Sequence, residues 1–429
     1  MLVFVLLLSL LKGQAPAYSV LTHEQLIDFA WSGSIRPLLL ARFPGSSNAA
    51  LREAHAYAYG GCAIQDMGYY PFGQDFFSDL THYVRSGDFI AALFHNARNV
   101  NEYAFAIGAL SHYLGDSIGH SEAINRATAI EFPKLEDKFG QIVTYDESPH
   151  GHVRTEYGFD IEQLSKREFA PPSYMNHIGF KVPRRQLERA FRETYGINAP
   201  EILGRTRPPL RPALRSYRRS VRTFIPKFSE AEVVLHHKQF PPDLDDDAYR
   251  VFHQRLATAD YERHWSRAYR GPGFVAHVLA VLIKILPKIG PISMLAIKIP
   301  DRETEGWYVR SINHTVDVYR EMLDRLRADP NTQLTLPNRD LDTGEGVKPG
   351  AYRRTDETYA KLLDRIASRA NRKLPPGIRQ DILDFYSDLN APISTKRDPD
   401  RWKRLLSQLE SLRRENNAES PGESSSEKN

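Results

Sequence analysis

Two pairs of side chains in this chain have the types and spacing to do chemistry. His112 and Asp116 stand four residues apart, and so do His152 and Glu156. Four residues make about one helical turn, so each imidazole projects from the same helix face as its carboxylate. Neutral imidazole nitrogens and carboxylate oxygens on one face are the donors zinc takes, at roughly 2.0–2.2 Å. His120 lies four residues beyond Asp116, close to the same stripe. A single such pair is commonplace on a solvated helix. Two of them, in a region holding eight of the 15 histidines before residue 153, point to a metal centre. His23, Asp66 and His82 lie upstream as further candidates. Each alone has a plain structural reading: His23 as a first-turn residue, Asp66 as a turn former, His82 as a packed helix residue.

Helices must position these groups. Apolar residues recur at three- and four-residue spacing over 76–84, 88–97 and 102–114, which predicts three helices. Asp88 follows Gly87 and is placed to cap the second. Further helices are predicted at 245–267, 304–328, 355–370 and 377–388. Strand-like alternation is scarce and no internal repeat is found, so the fold class is all-α. Residues 331–350 are rich in turn formers and read as a loop. The tail from Asn416 is polar and Ser/Glu-rich, a composition that stays disordered.

The remaining composition sets bounds. The chain has 429 residues, 41% of them hydrophobic, and a net charge of +4. That length allows two or three domain-sized units, and so small a charge gives no general argument for nucleic acid. Basic charge is local: Arg205 to Lys227 holds seven Arg and one Lys with no acid. Leu2 to Leu11 is an apolar run too short to span a bilayer, and Ala15-Pro16-Ala17 supplies an A-x-A cleavage signal. Residues 1–17 are therefore expected to be a signal peptide cut after Ala17, which predicts an exported, periplasmic or extracellular protein. The lack of Lys or Arg before the apolar run keeps an uncleaved anchor as the competing reading. Cys62 is the single cysteine, so the core or bound metal must replace disulfides. Phe274 to Ile299 is the most apolar stretch outside the leader, interrupted by Lys284, Pro287, Lys288, Gly290 and Pro291. It reads as a buried or interfacial helical hairpin in preference to a membrane span.

Over Tyr18 to Phe159 the order and types of these residues resemble the zinc-dependent phospholipase C family and its relatives, the three-zinc single-strand-specific nucleases. In that superfamily the mature N-terminal residue binds zinc through its own amino and carbonyl groups. A His follows, then an Asp, a His, an HxxxD pair, another His and a closing HxxxE or HxxxD. Here Tyr18, His23, Asp66, His82, His112 with Asp116, His120, and His152 with Glu156 fill those places. Glu at the last position resembles the phospholipases. Tyr stands where the family commonly has Trp at the terminus, and His120 follows Asp116 at a shorter gap than is usual.

The resemblance implies up to three zinc ions. One would take Asp66, His82, His112 and Asp116. A second would take the Tyr18 terminus and His23, with Asp116 bridging. A third would take His120, His152 and Glu156. It also implies Asp66 as a general base to the attacking water. The expected organisation is a helical metal-binding domain over 18–165, a helical region of unread role over 166–415, and the tail over 416–429. The expected function is hydrolysis of a phosphate ester, foremost a phospholipid, with peripheral contact to a membrane surface and no obligatory nucleic acid. A zinc nuclease on single strands is the first alternative, and a non-catalytic metal-stabilised binding protein the second. His55 and His95 are expected to be packed or surface residues, and adjacent His236 and His237 to point apart.

Overall fold

The computed structural model describes residues 19–203, 210–243, 245–286, 296–329, 332–368 and 374–419. The fold is all-α. Among the described residues the nearest thing to a strand is an isolated bridge between Arg339 and Gly346. The expected signal peptide, Tyr18 and residues 420–429 lie outside the described residues.

Eleven helices carry the argument: α1 (Val20–Ala30), α2 (Asn48–Gly61), α3 (Asp75–Tyr83), α4 (Ser86–His95), α5 (Val100–Gly119), α6 (Pro149–Ser165), α7 (Ile225–His236), α8 (Phe274–Ile285), α9 (Arg302–Ala328), α10 (Arg353–Ala367) and α11 (Pro399–Glu419). Helix α5 is the axle. It is buried on every side from Tyr103 to Ser117, with α1, α2, α4 and α9 packed around it, and an all-round apolar helix has nowhere stable to sit except a core. Its start is fixed by Asn99, whose side-chain oxygen accepts from the Asn101 and Glu102 amides at 3.1 and 3.0 Å.

The crossing of α2 over α5 is unusually close because glycines face each other. A Cβ on Gly108 would stand 2.1 Å from the Ala58 carbonyl oxygen, and one on Gly61 2.2 Å from that of Phe105. Only hydrogen fits, so the two backbones touch. That closeness brings the residue after α2, Cys62, within reach of α5.

Several expectations need correction. Asp88 does not cap α4. The cap position is Arg85, in the left-handed region at φ 50°, and Asp88 is the third helical residue, accepting from Arg85 Nε at 2.7 Å. The predicted helix over 245–267 is two, Asp247–Thr258 and Asp260–Trp265, broken where Ala259 turns extended at ψ 141°. Helix α11 was not foreseen and runs to Glu419, into the stretch expected to be disordered. Its charge density hides a buried stripe of Leu405, Leu409 and Leu412. Of the apolar hairpin, only the first arm, α8, is a helix among the described residues, since 287–295 lie outside them. No described helix is long and apolar enough to cross a membrane.

The helices after residue 165 share the core with those before it. One continuous set of buried side chains runs from Val20 to Leu412, and Tyr319 on α9 donates to the Ile107 carbonyl on α5 at 2.9 Å. The loop over 332–350 is irregular as expected, but it is not peripheral: Asp340, Leu341 and Asp342 are buried.

The glycine crossing gives a test with an unambiguous sign. By helix propensity alone Gly108→Ala would stabilise by about 1 kcal/mol. The collision with the Ala58 carbonyl instead predicts a loss of about 3 kcal/mol, the upper end for overpacked cores. Chemical denaturation of the variant distinguishes the two.

Candidate metal centre

The nine residues singled out in the sequence, Tyr18 excepted, all converge, and all are buried. Seven of them come from five places: His23 from the first turn of α1, Asp66 from a 3-10 turn over Gln65–Tyr69, His82 from the end of α3, His112 and Asp116 from α5, and His152 and Glu156 from α6. His120 opens a π-helical turn over His120–Ile124 that continues α5. The Asp66 turn is pinned between two helices. Gln65 Nε2 donates to the Ala109 carbonyl at 3.0 Å, Thr81 Oγ1 to the Gln65 carbonyl at 3.2 Å, and the Gly68 amide to Ser78 Oγ at 3.0 Å.

Asp66, His82, His112 and Asp116 form one group with mutually close donor atoms. A carbonyl can only accept, so the hydrogen bonds from His82 Nδ1 to the Ser78 carbonyl (2.7 Å) and from His112 Nδ1 to the Cys62 carbonyl (3.0 Å) place a proton on each Nδ1. Both Nε2 atoms then face inward, 3.4 Å apart. This is the outer support that metal-binding imidazoles need, fixing tautomer and ring direction. Inside the group, Asp116 Oδ2 lies 3.0 Å from His112 Nε2 and 3.3 Å from His82 Nε2, while Oδ1 lies 3.2 Å from His23 Nε2. Asp66 Oδ1 is 3.3 Å from His82 Nε2. The four oxygens of Asp66 and Asp116 are buried without a hydrogen-bond donor of ordinary geometry. Acceptor therefore faces acceptor across the group, an arrangement that a cation or extra protons must reconcile. The His23 and His112 rings stack at 4.3 Å.

His120, His152 and Glu156 form the second group. His120 Nδ1 donates to the Asp342 carbonyl at 3.2 Å, leaving its buried Nε2 inward and without a partner. His152 Nε2 donates to Asn125 Oδ1 at 2.8 Å, which turns its Nδ1 to Glu156 Oε1 at 2.7 Å. The His120 and His152 ring centres are 4.8 Å apart. The short gap from Asp116 thus leaves His120 one turn further along α5, across from α6.

Electrostatics differ between the groups. Burial alone would push His82 and His112 down, yet the Asp116 and Asp66 carboxylates raise both above the ordinary histidine value. Burial would raise Asp116, but His112, His23 and His82 hold it well below the carboxylate range. His23 is lowered, by burial and then by His112. In the second group burial, then Asp116, pushes Glu156 well above its usual value, while burial, then His120, lowers His152. Without a cation, the surroundings favour protonation of the His82 and His112 imidazoles in one group and of the Glu156 carboxylate in the other.

Sequence reasoning missed two residues. Asp342, from the 332–350 loop, takes His120 and Asn125 on its carbonyl, the latter at 2.8 Å, and its carboxylate accepts from Tyr83 and Tyr352 hydroxyls at 2.9 and 2.5 Å. The next-door Leu341 amide donates to the His82 carbonyl at 3.1 Å. Gly344 lets the loop press on α5: φ is +73°, and a Cβ would be 2.4 Å from the Ser117 carbonyl. Asn125 is the other, setting the tautomer of His152. The acid-and-glycine pattern of residues 340–344 signals a turn, but nothing in it names His120. The residues held back from the site stay out of it. His55 is buried against Trp31 with ring centres 3.8 Å apart, and His95 is exposed. His236 and His237 bond separately to Gln239 and the Val234 carbonyl. Tyr69 walls the centre, 5.9 Å from the His82 ring.

Residues 22–201 match the family model described as zinc dependent phospholipase C. This stretch is similar to the zinc-dependent phospholipase C family. The phospholipase C match begins one residue before His23, takes in every described candidate and runs past residue 165 to Glu201. Comparison of the chain with curated proteins and with solved structures gives no match. Phospholipase C enzymes of this family are zinc hydrolases, and the two buried groups fit zinc: nitrogen and oxygen donors only, with imidazoles oriented from outside.

The raised His82 and His112 make zinc uptake proton-linked. The neighbouring carboxylates favour the protonated form of both imidazoles, and a cation competes with such protons, so apparent affinity should rise with pH and binding should release protons. Zinc titration calorimetry in two buffers of different ionisation enthalpy, at about pH 6 and about pH 8, checks this. Equal affinity and no proton release would contradict the arrangement.

Proposed function

We propose that the zinc-loaded protein hydrolyses phospholipids at the headgroup phosphodiester, in the manner of a phospholipase C. The observation that carries this reading is Asp116. One of its oxygens faces His23 and the other faces His82 and His112, which is how a carboxylate shared by two ions would stand. On this reading three zinc ions bind: one with Asp66, His82, His112 and Asp116, one with His23, Asp116 and the Tyr18 terminus, and one with His120, His152 and Glu156. Export with cleavage after Ala17 belongs to the same proposal. Ser19, the residue after Tyr18, is buried one turn before His23.

Zinc bound here supplies Lewis acidity, lowering the pKa of water toward about 7 and drawing negative charge from phosphoryl oxygens. The chain supplies the rest. Cys62, Ser78 and Asp342 carbonyls keep His112, His82 and His120 in the tautomer that points Nε2 inward. Asp66, held by its pinned turn, is positioned to take the proton of an attacking water on a carboxylate oxygen. The apolar packing around the groups excludes bulk water.

A nuclease acting on single strands would use the same metal centre. The observation in its favour is the exposed arginine row of Arg211, Arg215, Arg218 and Arg219, which suits a phosphate backbone. A panel of phosphatidylcholine, other phospholipids and single-stranded DNA, run with zinc-loaded protein and with chelator-treated protein, decides between them. Release of phosphorylated headgroup supports the phospholipase reading. Cleavage of DNA alone favours the nuclease, and inactivity on all substrates favours a metal-stabilised binding protein.

Metal content tests the ligand partition. The protein purified without chelator should hold about three zinc ions. Asp116→Asn keeps the size but removes the charge, and should lose the two ions it bridges together with at least about a hundredfold of activity. Glu156→Gln should lose only one. An Asp116→Asn protein with full zinc and near-normal turnover would show the carboxylate to be structural.

A further inference from the structure

Nine large hydrophobic side chains are exposed among the described residues, and six of them lie on one helix. They are Phe274, Val275, Val278, Val281, Leu282 and Ile285 of α8, with Phe274 82% and Ile285 69% exposed. At about 100° per residue these positions fall within one sector of roughly 120°. Ala276, Ala280 and Ile283 occupy the opposite, buried side, and Ala280 and Ile283 pack with Phe228 and Ala231 of α7 in a cluster separate from the main core. The helix thus has two apolar faces, one used by the fold and one turned to solvent. A contiguous apolar face on a soluble surface marks an interaction site.

We propose that this face of α8 lies in the surface of a phospholipid bilayer and docks the protein there. Three observations select this occupant. Helix α8 has 12 residues, about 18 Å of length, too short to span a membrane yet suited to lying flat in its interface. From Arg263 to Leu286 the chain carries Arg263, Arg267, Arg270 and Lys284 and no acid, all four exposed, so the segment that bears the apolar face carries only positive charge, which complements anionic headgroups. Third, α8 is joined to the metal centre through few steps. It packs on α7, α7 packs on α6 with Phe228 against Tyr157 at 6.1 Å, and α6 carries His152 and Glu156. The choice of lipid over another apolar partner rests on the phospholipid reading of that centre. Docking through α8 would hold the α6 side of the protein near the membrane in which such a substrate resides.

The test separates binding from turnover. Zinc-loaded full-length protein is sedimented with vesicles of phosphatidylcholine, and of phosphatidylcholine with phosphatidylglycerol. Wild-type protein should co-sediment, more with the anionic lipid and less in high salt. The double variant Val278→Glu/Val281→Glu should bind about a hundredfold more weakly, with an unchanged thermal melt, since both side chains are exposed. It should keep wild-type turnover on a short-chain phospholipid below its micelle concentration. Lys284→Glu should lower only the salt-sensitive part of binding. Unaltered vesicle binding by the double variant overturns the proposal, as does failure of wild-type protein to bind either vesicle. So does a solution dimer that the double variant splits into monomers, which would assign the face to a second copy of the chain. Vesicle binding through α8 without phospholipid hydrolysis would leave the docking intact and remove the phospholipase reading. Equal hydrolysis of vesicles by variant and wild type would do the reverse.

Discussion

The structure depends on keeping the Asp116 carboxylate in the core. It is wholly buried, and an isolated carboxylate in such surroundings costs several kcal/mol, about what a buried ion pair must recover. Here the compensation is lateral: His23 faces one carboxylate oxygen, and His112 and His82 face the other, these two each turned by a hydrogen bond made on the far side. His112 is turned by Cys62 and His82 by Ser78. The Cys62 carbonyl reaches α5 because Gly61 and Gly108 remove the side chains that would hold α2 away. A packing feature of the backbone thus sets the proton on an imidazole, and that proton decides which nitrogen faces the carboxylates. Remove the glycine contact and the electrostatics of the centre change with it.

The second half of the chain is tied into the same logic. Its contribution is a single loop, in which Asp342 orients His120 directly and His152 through Asn125, while Leu341 bonds the residue that carries the His82 ring. Tyr83 and Tyr352 in turn hold the Asp342 carboxylate. The loop can do this only because Gly344 lets it lie directly on α5. A region that looks dispensable by composition is therefore part of the support of both donor groups, and helices α9 and α10 on either side keep it in place.

What was legible in the sequence follows from the range of the interactions. The HxxxD and HxxxE pairs were readable because four-residue spacing on a helix fixes a shared face whatever the rest of the fold does. Of the two helices carrying them, α5 was readable from periodicity over 102–114, whereas α6 has no such apolar pattern and was not predicted. Orientation within the pairs was not. That His152 meets Glu156 through Nδ1 is decided by Asn125, 27 positions away, and the direction of His120 by Asp342, 222 positions away. No local pattern encodes such contacts. The cap of α4 was misread because a left-handed Arg85 took the place that residue type assigns to Asp88. Helix α11 escaped notice because its apolar stripe is three leucines wide among many charges.

The lone cysteine acquires a different meaning in this setting. Cys62 is buried, and burial raises its thiol well above the usual range, so it is an inert packing group whose useful atom is its carbonyl. With no disulfide available, the segments from α1 to α6 have packing and hydrogen bonds to hold them, unless the donor groups bind metal. Those donors span residues 23–156 and come from separate helices and turns, so a cation at each group would join distant parts of the chain much as cross-links do. Metal binding to a site absent from the unfolded chain adds its free energy to folding. The buried carboxylates pull in the opposite sense when no cation is present, because their charge must then be met by protons taken up onto His82 and His112. The same side chains that make the fold costly without metal are those that make it secure with metal, so stability and the chemistry of the centre are set by one group of atoms.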